Sequence, residues 1–489
     1  MKSRLRSLVL PFATAFALVL CFLSAASAQA PYTGGNIGGL NKGWWSTGYA
    51  INAYGDVTGA ASVTTDFRYD FAHFDAFLYT PSGGMIDLGN LGGFYSAGTA
   101  INASDEITGY STVSPEDCCD WNGAPGATIA YHAFLYSGGM MKDLQTLGGD
   151  FSVGTGINAS GDVVGYSTLS GMGGRHAFLY SGGTMKDLGD LTAVAINDSG
   201  QITGCTADGH VFLYSGGTMN DLGISGCGNA INNSGEITGS TGDVFLYSRG
   251  TTTDLGWGWG QSINNFSQVA GNYGYVSEGL SDTLRNIEMT PGAVYFYGPF
   301  LYTPGTGRAD MSSLVPPYCP VPDWCNPTGG IYSAMAINDA GQITGGGWQD
   351  SPGTAFAVWF EPVTSPLSAF QATLRIIGKG ETHFQLRGSF SLGNDSSGLD
   401  PLTQPVLLQL GSLPVAIKKG SFKQRSNGDY VFQGVVGTAA VDFRISPVTS
   451  TSFSFRVEAR TGRPFPVTNP ARFILMIGNN KTMGTLPWK

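Results

Sequence analysis

The chain alternates short apolar runs with turn-forming residues. The clearest example begins with residues 195–197 (Ala-Ile-Asn), reaches a turn at Gly200, and continues with residues 202–204 (Ile-Thr-Gly). Residues 212–214 (Phe-Leu-Tyr) and 219–222 (Met-Asn-Asp-Leu) form the third and fourth runs. Short runs of β-branched and aromatic residues separated by such turns predict strands and hairpins rather than helices. We label the four predicted strands A, B, C and D.

This four-strand pattern occurs seven times. Each copy is marked by the Ile-Asn pair that ends strand A, with the isoleucine at Ile51, Ile101, Ile157, Ile196, Ile231, Ile263 and Ile337. The A–B turn is predicted to need positive φ, which glycine adopts at least cost. Glycine stands there in five copies, and Asp105 and Ser267 take its place in the other two. Seven antiparallel four-stranded units predict an all-β fold, a seven-bladed β-propeller; an open solenoid is the alternative.

The two ends of the repeat array favour ring closure. The seventh copy stops after residues 355–360 and has no strand D of its own. Residues 34–40, ahead of the first copy, are similar to the strand D region at residues 88–93. We therefore expect the segment near Ile37 to pair into the seventh unit, which would remove an exposed strand edge.

These patterns divide the chain into three segments. Residues 1–28 have a basic start, an apolar run and a small-residue cleavage site, which predict a secretory signal peptide, with a lipoprotein at Cys21 as the alternative. Residues 29–362 hold the seven repeats, and prolines mark their end. Residues 367–489 contain alternating runs and the hairpin signal Asn427-Gly428, and predict a C-terminal β-sandwich accessory domain.

Two copies resemble a known repeat. The sequence His-Ala-Phe-Leu-Tyr at residues 132–136 and 176–180, with Ile-Asn-x-x-Gly upstream, resembles the HAF-repeat family of bacterial extracellular proteins. The resemblance covers roughly residues 35–360. Asp75 and Asp243 replace the histidine in other copies, so the histidine is not expected to be an indispensable ligand. The resemblance implies a secreted, repeat-built protein and no known reaction. The signal peptide, which no stop-transfer pattern follows, predicts a secreted or periplasmic protein without a membrane span.

Charge divides the chain in two. Residues 29–365 hold 29 acidic and 8 basic residues, a net charge of −21, whereas residues 366–489 hold 6 acidic and 14 basic residues, a net charge of +8. The acidic part argues against nucleic acid as a partner, because phosphates would be repelled. The basic part favours an anionic surface or the repeat segment of a neighbouring molecule; a solvated surface without a partner is the alternative.

Cysteine usage favours disulfides. Apart from Cys21, the chain has an even number of cysteines, and in an exported protein this pattern favours disulfides over metal binding. We expect Cys319 and Cys325 to bridge a proline-rich loop, and Cys205 and Cys227 to link units four and five. The adjacent Cys118 and Cys119 remain open between a vicinal disulfide and free thiols.

The loops between units suggest where a ligand binds. In an antiparallel unit the A–B and C–D turns share one end, and the B–C and D–A connections share the other, where their lengths vary widely. Variable loops on a rigid scaffold are typical of binding sites. Exposed tryptophans there would stack on sugars or partner side chains, and inter-unit packing is the alternative. The candidate binding residues are Trp44, Trp45, Trp121, Trp257, Trp259, Trp324 and Trp348.

Repetition argues that the recurring polar residues are structural. A catalytic group is needed once, whereas a side chain that closes a turn is needed in every unit. This applies to the asparagine after each isoleucine and to the strand D aspartates. His132, His176 and His210 lie in different units, so they are not expected to share a metal. No calcium loop, zinc motif or nucleophile elbow occurs, and no catalytic residue, metal or cofactor is predicted.

These patterns favour a secreted, non-enzymatic binding or scaffold protein. Its expected ligand is an extracellular polysaccharide or protein, held by the variable B–C and D–A loops. The alternative is an extracellular polysaccharide hydrolase or lyase that uses unique loop carboxylates such as Glu116, Glu278, Asp323 or Asp350. Such an enzyme would place two carboxylates about 5–10 Å apart. None of these acids lies in a recognisable motif, which favours binding.

Overall fold

The computed structural model describes most of the chain and shows an all-β protein. The described residues are 32–40, 43, 45–63, 73–114, 130–171, 174–276, 295–314, 331–348, 355–377, 382–393, 396, 398–462 and 464–488. For residues 274–276, 295–297, 312, 331, 348 and 355, only the backbone is described. The described residues form 38 strands and one short 3₁₀ helix, Met311–Ser313. None of their helices is long and apolar enough to cross a membrane.

The predicted four-strand units are present. Unit one contains β2 (Ser46–Ile51), β3 (Val57–Ser62), β4 (Phe74–Thr80) and β5 (Gly84–Asp87). Unit two contains β6 (Ser96–Ile101), β7 (Ile107–Thr112), β8 (Tyr131–Ser137) and β9 (Met140–Asp143). Unit three contains β10 (Gly148–Ile157), β11 (Val163–Leu169), β12 (Arg175–Ser181) and β13 (Thr184–Gly189). Unit four contains β14 (Leu191–Ile196), β15 (Ile202–Thr206), β16 (His210–Ser215) and β17 (Thr218–Ser225).

The last three units follow the same order. Unit five contains β18 (Cys227–Ile231), β19 (Ile237–Ser240), β20 (Asp243–Ser248) and β21 (Thr251–Trp257). Unit six contains β22 (Trp259–Ile263), β23 (Val269–Val276), β24 (Tyr295–Thr303) and β25 (Gly307–Asp310). Unit seven supplies β26 (Ile331–Ile337), β27 (Ile343–Trp348) and β28 (Ala355–Pro362). Within each unit, neighbouring strands pair antiparallel, and one parallel pair, Tyr131 with Phe151, joins units two and three.

The first described strand completes the last unit. Strand β1 (Tyr32–Gly38) pairs antiparallel with β28, from Tyr32 opposite Pro362 to Asn36 opposite Val358. This confirms the prediction that the segment near Ile37 pairs into the seventh unit. The first strand of each unit contacts the first strand of the next, and β26 contacts β2. The series of inter-unit contacts therefore returns to its start.

The cores of the repeat part lie between neighbouring units. Ala76 and Leu78 of unit one are buried against Ile101, Ile107 and Phe134 of unit two. The strand C phenylalanine and the first residue of strand B are both completely buried in unit after unit, as in Phe134 and Ile107. Because each sheet buries its faces against the adjacent sheets, a single unit has no complete core of its own.

Two glycine positions in the repeat have different physical reasons. The A–B turn residue has positive φ in all seven units, as predicted, at Gly55, Asp105, Gly161, Gly200, Gly235, Ser267 and Gly341. The strand B glycine has a steric reason that the sequence did not reveal. A Cβ on Gly239 would overlap the carbonyl oxygen of Cys227 in strand A, and the other strand B glycines meet the same obstacle. Strands A and B therefore approach each other more closely than a larger residue permits.

One predicted disulfide lies in the described residues. Cys205 of β15 and Cys227 of β18 are bonded, with Cα atoms 4.7 Å apart, which confirms the expected link between units four and five. Cys118, Cys119, Cys319 and Cys325 lie outside the described residues.

The described residues between 365 and 488 contain a separate ten-stranded sheet, here called the C-terminal sheet. Its order is β32-β31-β37-β38-β29-β30-β36-β35-β34-β33. The strands are β29 (Ser365–Ile377), β30 (His383–Leu392), β31 (Val406–Leu410), β32 (Leu413–Ile417), β33 (Lys423–Gln424), β34 (Tyr430–Val436), β35 (Ala439–Pro447), β36 (Ser452–Thr461), β37 (Ala471–Ile477) and β38 (Asn480–Leu486).

The C-terminal sheet curls around one apolar core. Strand β29 starts beside β38 with Ser365 opposite Asn480, and then continues beside β30 after an irregularity between Ser368 and Gln371. Buried residues from both ends of the strand order, such as Val415 and Phe443, belong to the same core. The prediction for this segment is thus confirmed only in that it is all-β. One bent strand joins the expected two layers into a continuous sheet.

The strand B glycine provides a stability test. Gly239→Ala is expected to lower the free energy of unfolding by about 1–3 kcal/mol, because its Cβ would force strands A and B apart. Gly174→Ala is the matched control, since nothing lies within 4 Å of the added Cβ; its effect should stay within about 0.5 kcal/mol. Urea unfolding of both variants measures the difference. Equal effects would contradict the steric explanation.

Candidate functional site

An asparagine side chain closes the A–B turn of each unit. In unit five, Asn232 Oδ1 accepts hydrogen bonds from the backbone N–H groups of Ser234 (3.0 Å) and Glu236 (3.0 Å). The Asn232 carbonyl accepts one from the N–H of Gly235 (3.0 Å). This arrangement is the structural role expected from repetition: the side chain satisfies backbone donors in a turn.

The same asparagines also link neighbouring units. Asn232 Nδ2 donates to the carbonyl of Asn264 in unit six (3.1 Å), and Asn338 Nδ2 donates to the carbonyl of Asn52, joining unit seven to unit one (2.8 Å). Six of the seven junctions between units have this bond in the described structure. We call these residues the asparagine circuit: Asn52, Asn102, Asn158, Asn197, Asn232, Asn264 and Asn338. The sequence predicted the turns but not this link.

The residue after the circuit asparagine divides the units into two groups. It is alanine in units one to three, at Ala53, Ala103 and Ala159. In units four to seven it is polar, and we call these residues the polar arc: Asp198, Asn233, Asn265 and Asp339.

Hydrogen bonds run along the polar arc from one unit to the next. Asn233 Nδ2 donates to Asp198 Oδ2 (2.7 Å), and Asn265 Nδ2 donates to Asp339 Oδ2 (2.8 Å). The backbone N–H of Asn233 donates to Asn265 Oδ1 (2.8 Å). At the junction of units three and four, the N–H of Ala159 donates to Asp198 Oδ1 (2.9 Å). The arc thus carries a carboxylate at each end and amides between them.

The polar arc and six of the seven circuit asparagines, all but Asn158, line a central cavity of about 250 Å³. Gln409, Ser412 and Pro414, from the β31–β32 hairpin of the C-terminal sheet, also line it. No lysine, arginine or histidine is among its lining residues. Burial raises the pKa of Asp198 and of Asp339, and the charge of Asp198 adds to the rise at Asp339. The cavity is therefore polar, with oxygen acceptors and no cationic side chain.

The C-terminal sheet is held on the A–B end of the units by charge. Arg472 Nη2 lies 2.8 Å from Asp56 Oδ2, and its Nη1 lies 3.2 Å from Asp105 Oδ2. The same guanidinium stacks 4.0 Å from the ring centroid of Tyr54. The hydroxyl of Tyr54, which is 2% exposed, lies 2.9 Å from the carbonyl oxygens of both Gly411 and Arg472. This contact fixes the sheet to units one and two.

Two lysines make further contacts. Lys418 Nζ lies 3.2 Å from Glu236 Oε1 and donates to Ser267 Oγ (2.7 Å), which reaches units five and six. Lys481 Nζ lies 3.4 Å from Glu361 Oε2 of unit seven. The basic C-terminal segment was expected to meet an anionic surface or a neighbouring molecule. In this structure, three of its cationic side chains pair with carboxylates of the repeat part of the same chain: Arg472, Lys418 and Lys481.

Two carboxyl groups at these contacts have pKa values that are shifted in opposite directions. Burial favours protonation of Glu236, but hydrogen bonds from Ser267 and Asn232 and the charge of Lys418 outweigh it and lower its pKa. At Asp105, burial and the neighbouring Asp56 raise the pKa to about 7, against the opposing charge of Arg472.

The repeated histidines pair with the strand D aspartates. His132 Nδ1 lies 2.9 Å from Asp143, and His176 and His210 lie 3.0 Å from Asp187 and Asp221. Each pair joins strands C and D of one unit. Among the described residues, no group of three or more His, Cys, Asp or Glu side chains could hold a metal ion.

A row of aromatic rings lies at the opposite end of the units, where strands A and C begin. Trp45, ahead of β2, packs edge-to-face on Phe74 at the start of β4, with ring centroids 5.0 Å apart. From Phe74 onward, the centroids of consecutive rings in the row are 5.8, 5.6, 5.7 and 4.8 Å apart. All six rings are partly exposed. The aromatic row comprises Trp45, Phe74, Tyr95, Tyr110, Tyr131 and Phe151.

The structure brings together only part of the predicted tryptophan set. Trp45 belongs to the aromatic row. Trp257 and Trp259, at the junction of units five and six, are 46% and 41% exposed, with centroids 6.2 Å apart, and so are not buried packing residues. Trp348 is described only by its backbone, and Trp44, Trp121 and Trp324 lie outside the described residues, as do the candidate acids Glu116, Glu278, Asp323 and Asp350.

Sequence reasoning missed the tyrosines and phenylalanines of the row. Their signal was positional: an aromatic residue stands directly before strand A and at the start of strand C in units one and two, and Phe151 is the fourth residue of strand A in unit three. Single aromatic residues at strand starts are common, so the signal becomes clear only when the units are placed side by side.

Asp105 predicts a pH dependence. Its pKa is raised from 3.8 to about 7, so between these values the folded chain keeps a proton that the unfolded chain releases. Stability should therefore fall as pH rises from about 4 to about 7. Asp105→Asn, which tolerates the positive φ of this turn, should flatten that slope in urea unfolding. Asp254→Asn, at an exposed position, is the control. An unchanged slope in Asp105→Asn would contradict the assignment.

Comparison with protein-family models gave no match, and no curated protein sequence matched the chain.

Proposed function

We propose that residues 29–362 form a seven-bladed β-propeller of a secreted, HAF-like protein. Seven four-stranded units support this, together with the completion of unit seven by β1 and the contact of β26 with β2. The bonded Cys205–Cys227 pair accords with an exported chain. Residues 367–489 act in this proposal as an accessory domain that covers one end of the propeller.

The position of the C-terminal sheet leaves one end of the units for ligand binding. The A–B end is covered by the contacts of Arg472, Lys418 and Tyr54. The B–C end carries the variable loops and the aromatic row. A rigid scaffold that presents rings and variable loops at one end is typical of binding proteins.

The protein in this proposal is a non-enzymatic binding protein for an extracellular polysaccharide, and the aromatic row is the observation that carries it. Six partly exposed rings follow one another with centroids 4.8–5.8 Å apart across three units. Flat rings offer large contact areas at low entropic cost, and the tyrosine hydroxyls add hydrogen-bonding groups. A continuous row suits an extended chain of sugars better than a compact small molecule.

Charge narrows the ligand to neutral polysaccharides. The repeat segment has a net charge of −21, so an anionic polymer would be repelled as it approached. The repeated asparagine, aspartate and histidine side chains are engaged in turns and in strand pairing, which supports binding over catalysis. No contact among the described residues favours the hydrolase or lyase alternative.

Single-ring removal tests the proposal. Tyr95→Ala and Tyr110→Ala should each weaken retention on a neutral polysaccharide by about 1–3 kcal/mol, because each removes one stacking ring from the row. The measurement is affinity electrophoresis against a panel of soluble β-glucan, xylan and starch, with a thermal melt of each variant.

Tyr214→Ala is the matched control. This partly exposed ring packs on an inter-unit core near the C–D turn, away from the aromatic row. It should lower thermal stability without changing retention. If the row variants bind every polysaccharide as wild type does, or if the wild type is retained by none, the proposed function is wrong.

A further inference from the structure

The outer side of the C-terminal sheet carries a row of arginines. Arg387 of β30 lies directly opposite Arg456 of β36, and Arg456 lies directly opposite Arg444 of β35. Side chains that are directly opposite in neighbouring strands point to the same side of a sheet. Arg387 and Arg456 are exposed, and Arg444 is partly exposed. We call these three residues the arginine ladder.

Strand pairing does not explain the arginine ladder, because like charges directly opposite each other destabilise a sheet. The carboxylate of Glu458 is shared between Arg456 (3.2 Å) and Arg460 (3.0 Å). Asp429 lies 3.9 Å from the third arginine of the ladder. Arg387 forms no ion pair with any described residue. The row therefore holds more positive charge than the nearby carboxylates neutralise.

The outer side of the C-terminal sheet has two parts with different surroundings. Leu407 of β31, Ala416 of β32 and Met476 of β37 lie opposite one another and pack with Ala340 of unit seven. The arginine ladder lies on the outer side of β30, β36 and β35, where its side chains are open to solvent. The sheet thus meets its own repeat part through the first part and leaves the arginines uncovered.

The other end of the same chain carries uncompensated negative charge. At the B–C end of units three to five, carboxylates lie near the starts of strands A and C and in the connecting loops. They are exposed and form no ion pair with any described residue. Arg175, at the start of β12, offsets one of these charges. We call these residues the acidic end: Asp150, Asp190, Asp208 and Asp243.

We propose that the arginine ladder of one copy of this chain binds the acidic end of a second copy. The two surfaces have opposite charge, and the planar guanidinium groups of arginine can each donate two hydrogen bonds to a carboxylate. Because the surfaces differ, the contact is heterologous, and each copy keeps one unused surface for the next copy. The contact extends the proposed function and does not depend on polysaccharide binding by the aromatic row.

Arg387→Glu separates association from folding. The new carboxylate lies opposite Arg456 and replaces a like-charge pair by an attractive one, so Tm should equal or exceed that of the wild type. Self-association, measured by sedimentation velocity over a concentration series at low salt, should be about tenfold weaker because the acidic end is then repelled. Lys186→Glu makes the same charge change at an exposed position on strand D of unit three and should associate as the wild type does.

A mixture of two variants tests whether the contact joins these two surfaces. The double variant Asp190→Lys with Asp208→Lys has a basic end and should not associate with itself. Mixed with Arg387→Glu, it should form heterodimers, because its intact arginine ladder meets the intact acidic end of the other variant. Added NaCl should dissociate them, since the Debye length falls from about 10 Å at 0.1 M to about 3 Å at 1 M salt.

Three results would overturn the proposal. They are a wild-type chain that stays monomeric at low salt, association of Arg387→Glu as strong as that of the wild type, and a mixture of the variants that stays monomeric. A monomeric wild type that binds dextran sulfate through Arg387 would assign the arginine ladder to an anionic polymer instead of a second copy.

Discussion

The structure of the repeat part depends on satisfying a set of buried asparagines. Their side chains are 2–6% exposed, so each amide must find partners within the protein. The oxygen is satisfied by the unit's own turn, but one amide hydrogen is left for the next unit, as in the bond from Asn338 to Asn52. An isolated unit would leave this donor without its inter-unit partner, at a cost of about 1–3 kcal/mol if it stayed buried. Placing the units side by side thus satisfies polar groups as well as burying apolar surface.

The same arrangement explains why the two ends differ. The A–B turns converge on the cavity and carry the carboxylates that the C-terminal sheet contacts, including Asp56, Asp105 and Glu236. Asp56 is 1% exposed, and removing Arg472 would leave that buried carboxylate without its cation. The C-terminal sheet therefore supplies the cation that this buried carboxylate needs at the A–B end. At the B–C end, the buried carboxylate of Asp75 accepts hydrogen bonds from Asn90 and Ser96 of the repeat part itself, and the rings of the aromatic row remain partly exposed.

The sequence predicted what depends on local chemistry. The positive φ of Asp105 and Ser267 follows from the turn alone, and the pairing of β1 with β28 follows from a missing strand. The inter-unit bond of Asn338 joins residues 286 positions apart, and nothing in the motif distinguishes a turn asparagine that also donates to a neighbour. The basic C-terminal segment was recognised, but complementary charge does not specify whether the partner is the same chain. The aromatic row was missed because its tyrosines resemble ordinary strand residues until adjacent units are compared.

The departures from repetition are more informative about function than the repeated residues. A residue present in every unit is explained by folding, as the strand B glycines are by the close approach of strands A and B. The aromatic row occupies units one to three, and the polar arc occupies units four to seven, where Asp or Asn replaces the alanine of the first three units. The alanines at Ala53 and Ala103 show that a turn forms without the polar side chain. Because the fold accepts alanine there, Asp198 and Asp339 need a reason beyond the turn, and their hydrogen bonds with Asn233 and Asn265 of the neighbouring units supply one.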